Sequence, residues 1–89
     1  MNYIVFWSPP ALGDLLTIWE RAADQDAIDR AVHRIDRLLA EEPEDRSESR
    51  DPGQRVLIEA PLTVVFRMDE ARRMVIVVSV WHFQQRAGS

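Results

Sequence analysis

The chain has 89 residues, which is the size of one small domain. It contains no cysteine and no lysine, so disulfide bonds and thiolate metal sites are excluded and the side-chain cations are arginines. No apolar run has the roughly 18 residues of a membrane-spanning helix, and residues 1–4 lack the basic start of a signal peptide. We therefore expect a cytoplasmic protein with one domain, residues 1–89, in which 84–89 form a flexible tail.

The formal charge of −4 is unevenly distributed along the chain. Residues 1–45 carry four arginines against ten carboxylates, a net charge of −6, whereas residues 46–89 carry seven arginines against five carboxylates, a net charge of +2. The total excludes a uniformly basic nucleic-acid-binding protein. The surplus arginine in the second half is suited to bidentate contacts with phosphate or carboxylate groups.

The first half of the chain predicts one strand and two helices. Residues 3–7 are all aromatic or aliphatic and predict a strand buried on both faces. Ser8 is a good N-cap and prolines are tolerated in a first helical turn, so a helix is expected over 9–23. A second helix is expected from its N-cap, Asp24, to about Glu41, and the short join predicts an antiparallel hairpin. The apolar stripes expected to face the core are Leu12, Leu15, Leu16, Trp19 and Ala22 or Ala23 in the first helix, and Ile28, Ala31, Val32, Ile35, Leu38 and Leu39 in the second.

The second half predicts a long polar loop followed by three strands. Residues 42–54 contain two prolines, a glycine and no large apolar side chain, and their number is near the upper end for an ordinary connection. Strands are expected over 55–59, 62–68 and 73–82 as an antiparallel meander with tight turns. The last strand is apolar on both faces and belongs in the sheet interior, with the first strand beside it. The fold class is α+β, a two-layer β-α-α-β-β-β domain in which a helical hairpin covers one face of an antiparallel sheet.

One helical hairpin covers only one face of such a sheet. Strands that are apolar on both sides therefore leave hydrophobic surface on the second face, and a contiguous exposed apolar patch usually marks a partner site. The alternative is that the long loop and the tail cover that face. We expect Trp7, Trp19 and Trp81 in the core rather than as stacking platforms.

The residue types leave one kind of chemistry to consider. The sequence has no glycine-rich phosphate loop, no metal-ligand spacing and no nucleophile elbow, so we expect no metal and no cofactor. Metal-independent RNA cleavage needs a base at the ribose 2′-hydroxyl, a cation at the phosphorane-like charge and an acid at the 5′-oxygen. Glu48 suits the first role and His82 the third, because histidine ordinarily titrates near neutrality. Arg50, Arg55 and Arg67 are the candidate cations. Each of these residues also has a plainer interpretation as a solvated group or a member of an exposed ion pair.

Five segments stand in a distinctive order: Tyr3-Ile4-Val5-Phe6-Trp7-Ser8-Pro9, Asp14-Leu15-Leu16-Thr17-Ile18-Trp19, Glu48-Ser49-Arg50 followed by Arg55-Val56-Leu57, Pro61-Leu62-Thr63-Val64-Val65-Phe66-Arg67-Met68-Asp69, and Val78-Ser79-Val80-Trp81-His82-Phe83. In this order they resemble the RelE/ParE family of toxins from toxin–antitoxin systems, over nearly the whole chain. The resemblance implies a compact sheet-and-hairpin fold with the last strand beside the first. It also implies a cognate antitoxin whose tail wraps the toxin. We expect either a homodimer or a heterotetramer with the antitoxin.

The family contains two activities, since one branch cleaves mRNA in the ribosomal A site and the other poisons DNA gyrase. Some nuclease members use a loop glutamate as base and end in His-Tyr, which resembles Glu48 and the pair His82-Phe83. The resemblance thus implies Glu48 and His82 as catalytic residues and Phe83 as a substrate contact. Gyrase-directed members also often carry a histidine near this point, so His82 does not separate the branches.

The strand arginine of the nuclease members is the main departure. At its place this chain has Thr63, so Arg67 is assigned to the catalytic group and Arg50 and Arg55 to substrate binding. The first prediction is a ribosome-dependent mRNA endonuclease with ribosome and mRNA as partners. The second is a gyrase inhibitor without catalytic residues, and the third is a non-catalytic family member that only binds an antitoxin. No membrane partner is expected.

Overall fold

The computed structural model describes residues 2–44, 47–49 and 53–83. Arg50 and the expected tail over 84–89 lie outside the described residues. Those described form two helices and five strands, which are β1 (Ile4–Trp7), α1 (Pro9–Arg21), α2 (Gln25–Glu41), β2 (Glu48–Ser49), β3 (Arg55–Glu59), β4 (Leu62–Asp69) and β5 (Met74–His82). The α+β class and the order of the predicted helices and strands are therefore confirmed. Neither helix has the length and hydropathy needed to cross a membrane.

The five described strands form one sheet in the order β1-β5-β4-β3-β2. Strands β3, β4 and β5 pair as the predicted antiparallel meander. Strand β1 pairs with β5 as predicted, but the two run parallel, so the sheet is mixed rather than antiparallel. The end of α2 lies beside the start of β1, where the Tyr3 N–H donates to the Ala40 carbonyl at 2.8 Å. The chain therefore enters the meander from the end of the sheet at which β1 begins, and β3 and β5 run in the direction of β1.

The core lies between the helices and one face of the sheet. Its fully buried side chains include Phe66 and Val77 from the sheet and Ile35 from α2. The predicted stripe of α2 is confirmed, since four of its members are buried and the other two pack against the core. Both predicted N-caps are present, because Ser8 Oγ accepts from the Ala11 N–H and Asp24 Oδ1 from the Ala27 N–H.

The predicted core stripe of α1 is wrong in part. Ala11 is buried, and the side chains that pack with it against the core are Leu15, Ile18 and Ala22. Three members of the predicted stripe are exposed instead, namely Leu12, Leu16 and Trp19. The buried set and the exposed set have the same helical spacing and are offset by one residue. The face that α1 turns to the core is therefore rotated by about 100° from the predicted one. Spacing alone does not distinguish them.

Two further expectations of burial are wrong. Strand β1 is an edge strand, so Ile4 and Phe6 point to solvent, with Ile4 66% exposed, while Val5 and Trp7 pack toward the core. Trp81 is 62% exposed. Of the tryptophans only Trp7 packs against the core, where its indole Nε1 donates a 2.7 Å hydrogen bond to Asp36 Oδ1 on α2.

Candidate functional site

The sheet face turned away from the helices, which we call the open face, is largely apolar. Its exposed large side chains are Ile4 and Phe6 on β1, Ile58 on β3 and Trp81 on β5. A hollow of about 500 Å³ lies on the same face, lined by side chains that include Thr63 and Trp81. This is the uncovered surface predicted from the strands that are apolar on both sides.

A β-bulge in β5 decides which side chains are on the open face. Val65 pairs with Ser79 and Phe66 with Val77, so Val78 is an extra residue in β5. Because alternate residues of a strand point to opposite faces, the extra residue inverts the alternation that follows. Val80 is therefore buried, and Trp81 is turned to the open face.

His82 lies on the side of the sheet that faces the helices. It pairs with Leu62, which is fully buried in the core, and its side chain borders a concave surface together with Asp14 and Thr17 of α1. The bulge therefore places the predicted general acid next to α1.

Arg67 lies on the open face, where it pairs with Ile76 and is exposed. No ion pair or hydrogen bond engages its guanidinium among the described residues. Its position on β4 is five residues from Leu62, the partner of His82, which is about 17 Å along the strand. Arg67 and His82 thus lie on opposite faces of the sheet and far apart along it, and the structure does not bring them together.

Glu48 lies on the same face as Arg67. It pairs with Val56 of β3, which pairs with Val65 of β4, and this row of three belongs to the open face. Two strand spacings across and two residues along separate the Glu48 and Arg67 backbones by about 12 Å. Two long side chains at this separation can contact the same ligand. Among the predicted site residues, this is the pair that the structure brings together.

Arg55 is engaged in holding the loop that follows α2. Its Nε donates to Ser47 Oγ at 2.7 Å, and its Nη2 donates to the carbonyl oxygens of Glu44 and Ser47, both at 3.1 Å. The residue pairs with Phe66 and therefore lies on the helix side of the sheet. These three hydrogen bonds give the guanidinium a structural role that spacing in the sequence does not indicate.

Thr63 and Phe83 lie near the end of the sheet that is distant from Arg67. Thr63 pairs with Trp81 and Ile58 on the open face, so no cation stands at the place of the strand arginine of the nuclease members. Phe83 is exposed, and its backbone N–H donates to the Pro61 carbonyl at 3.1 Å. That end of the open face is therefore aromatic and uncharged.

Tyr3 and Arg73 join the start of β1 to the turn between β4 and β5. The Arg73 guanidinium lies 4.3 Å from the centre of the Tyr3 ring, and the Tyr3 hydroxyl donates to Glu70 at 3.0 Å. Burial and the hydrogen bond to Glu70 raise the pKa of Tyr3 above its ordinary value. The cluster anchors the edge strand and does not belong to the predicted site.

A second exposed apolar surface, which the sequence analysis missed, lies between the helices. Leu12, Leu16 and Trp19 of α1 line a groove of about 450 Å³ with side chains of α2, and Asp29 and His33 stand at its border. We call it the α1–α2 groove. The sequence indicates this groove through the apolar residues Leu12, Leu16 and Trp19 of α1, which we predicted to face the core. No cluster of three His, Asp or Glu side chains that could hold a metal ion occurs in the described part of the chain.

Comparison with known protein families identifies this arrangement. The family model described as the ParE toxin of type II toxin–antitoxin systems, parDE, matches residues 5–87. The chain belongs to this family. In this ParE-family toxin the matched segment begins at the second residue of β1 and takes in the rest of the helices and strands that the structure describes.

Solved structures support the fold of this toxin. The RelBE2 toxin–antitoxin complex of Mycobacterium tuberculosis aligns with a TM-score of 0.80 at 18% identity, covering 96% of this chain and 95% of that chain. The chromosomal ParDE system of Pseudomonas aeruginosa gives 0.69 at 15%, covering 92% and 97%. The isolated RelE toxin of Escherichia coli gives 0.65 at 14%, covering 94% and 87%. No curated protein sequence matches the chain.

Proposed function

We propose that this type II toxin inhibits DNA gyrase by binding it, and that it does not cleave RNA. The proposal depends on the position of Arg67 and His82 on opposite faces of the sheet, about 17 Å apart along β4. A general acid and a phosphate-binding cation must contact the same substrate to act together. Inhibition by binding does not require catalytic groups to converge on one substrate.

Two further observations favour a binding toxin over a ribosomal nuclease. Thr63 leaves its end of the open face uncharged, so a phosphorane-like transition state there would have no fixed cation beside it. The chain also carries a net charge of −4. Association with ribosomal RNA gains its affinity mainly from cations that neutralise phosphates, and this chain has no such surplus. Gyrase is the target that the resemblance implies for the other branch.

The partner that restrains the toxin is, in this proposal, a cognate antitoxin that occupies the α1–α2 groove. Leu12, Leu16 and Trp19 expose one apolar stripe, which matches an amphipathic helix with apolar residues at intervals of three and four. Asp29 at the border and the net charge of −6 over 1–45 favour basic residues beside that stripe. The RelBE2 and ParDE neighbours are toxin–antitoxin systems.

An mRNA endonuclease is the second candidate function, because Glu48 and Arg67 share the open face. A carboxylate and an arginine on one surface could supply the base and the charge stabilisation of RNA cleavage. This candidate requires His82 either to be dispensable or to leave the helix side of the sheet. The two candidates therefore differ in whether mRNA is cleaved, and a His82 substitution shows whether this histidine takes part in the cleavage.

The experiment expresses the toxin alone and separates the targets. We expect growth arrest, loss of DNA supercoiling by purified gyrase, and intact mRNA, with all three unchanged in His82→Ala. His33→Ala, which alters the exposed histidine of α2, is the matched control. Cleavage of mRNA inside ribosomes would refute the gyrase proposal in favour of the nuclease, and loss of that cleavage in His82→Ala but not in His33→Ala would assign His82 to the reaction. Absence of growth arrest would leave only the antitoxin-binding role.

A further inference from the structure

A third concave surface, which we call the α1–β5 pocket, lies between α1 and the last residues of β5. Strand β1 pairs with β5 only as far as Val77, because the chain turns into α1 after Trp7. Beyond Val77 the edge of β5 faces the side of α1 instead of a strand. The space between them is about 450 Å³, which is within the range of small-ligand sites.

One end of the α1–β5 pocket presents hydrogen-bond acceptors. Asp14 Oδ2 accepts from the Val80 N–H at 3.2 Å and so replaces the missing strand partner. Its Oδ1 makes no hydrogen bond within the described residues. The Thr17 hydroxyl donates to the Gly13 carbonyl at 3.1 Å, which leaves its oxygen free to accept. Groups that donate hydrogen bonds, such as ribose hydroxyls or amino groups of a base, suit this end.

The other end presents a cation. Arg21 lies seven residues after Asp14 on α1, which is about 10 Å along the helix. Its guanidinium is exposed and has no ion pair among the described residues. Trp81 directly follows Val80, the residue that Asp14 binds, so its indole, which is 62% exposed, borders the pocket toward the acceptor end, with His82 after it. A flat heterocycle can stack on such an indole while an anionic group binds the arginine.

We propose that the α1–β5 pocket binds a nucleoside phosphate, either free or at the end of a nucleic acid strand. The base stacks on Trp81, the ribose hydroxyls donate to Asp14, and the phosphate binds Arg21. A neutral heterocycle would not use Arg21, and inorganic phosphate alone would not use Trp81. The site goes beyond the proposed function and does not depend on it, because it lies apart from the α1–α2 groove and holds none of the open-face pair Glu48 and Arg67.

Calorimetric titration of the full chain with AMP, adenosine and inorganic phosphate tests the proposal. We expect saturable 1:1 binding of AMP that is tighter than that of adenosine or phosphate. Trp81→Ala should weaken AMP binding roughly 5- to 150-fold, the usual range for loss of one stacked base. Arg21→Gln should weaken AMP binding about tenfold, as for loss of one hydrogen bond to a charged group, and leave adenosine binding unchanged.

Trp19→Ala and Arg37→Gln are the matched controls, because they alter an exposed tryptophan and an exposed arginine outside this pocket. Both should leave AMP binding within about twofold of the unsubstituted chain. Absence of saturable AMP binding would overturn the proposal. So would an equal loss in the controls, or an equal effect of Arg21→Gln on adenosine and AMP.

Short single-stranded oligonucleotides with and without a 5′-phosphate distinguish the two sources of the ligand. Tighter binding of the phosphorylated strand than of AMP would assign the pocket to a strand end. Binding of AMP at least as tight as the strand would assign it to a free nucleotide. Gyrase inhibition measured on the same variants keeps the two proposals separate, since Trp81→Ala can lose AMP binding whether or not gyrase is the target.

Discussion

Replacing Arg55 by alanine removes three hydrogen bonds that hold the segment after α2, at 2.7, 3.1 and 3.1 Å. A hydrogen bond contributes about 1 kcal/mol net, and part of this guanidinium is solvated. We therefore expect the free energy of unfolding to fall by about 2 kcal/mol. Arg67→Ala is the matched control, because the same side chain is lost where it has no partner among the described residues, and its effect should stay within about 0.5 kcal/mol.

Urea unfolding followed by tryptophan fluorescence measures both variants. The midpoint should fall for Arg55→Ala with an unchanged slope, which marks a change of stability rather than of compactness. Arg55→Lys should fall between, since an ammonium group lacks the planar fork that contacts Ser47 and Glu44 together. Equal stability of Arg55→Ala and the unsubstituted chain, or an equal loss in Arg67→Ala, would refute the structural role given to Arg55.

Three further predictions concern other contacts. Asp36→Ala should lower the free energy of unfolding by about 1–3 kcal/mol, because it leaves the partly buried Trp7 N–H unpaired. Asp29→Ala is the control, because it replaces another aspartate of α2 without unpairing the Trp7 N–H. An equal loss of stability of the two variants in chemical denaturation would contradict the role given to Asp36. The raised pKa of Tyr3 predicts a contribution to stability that is present below pH 10.0 and is lost as the pH rises through the pKa of the folded state. In unfolding measured against pH, Tyr3→Phe should remove this pH dependence. Leu16→Gln should weaken antitoxin binding at least tenfold in a pull-down titration while leaving the melting temperature nearly unchanged, and unaltered binding would exclude the α1–α2 groove as that interface.

Much of the fold was predictable because its determinants are local. The helix starts follow from Ser8 and Asp24, whose side chains each accept the N–H three residues later. The meander follows from apolar runs with short turns between them. The direction of β1 relative to β5 was missed, because it depends on the end of the sheet to which α2 returns the chain, and the contact that shows this joins Tyr3 and Ala40, which lie far apart in the sequence.

The site was less predictable than the fold, because one extra residue changes which side chains share a face. Without the bulge at Val78, the alternation through β5 would place His82 on the open face with Arg67 and bury Trp81. The run 74–81 is almost entirely apolar, so the pattern of hydrophobicity does not reveal the inversion. The bonds of Arg55 were equally hidden, because they join residues that only the folded loop brings together.

The pairing of β1 with β5 has a consequence for how the toxin is made. β5 is synthesised last of the strands and lies between β1 and β4, so the first strand has no hydrogen-bonding neighbour until residues 74–77 are available. Contacts between such distant segments slow folding, because the intervening chain must first be ordered. A nascent chain that has not completed β5 therefore holds β1 and the paired strands β3 and β4 as separate pieces. The open face, which combines side chains of β1 and β5, therefore forms only after β5 has been translated.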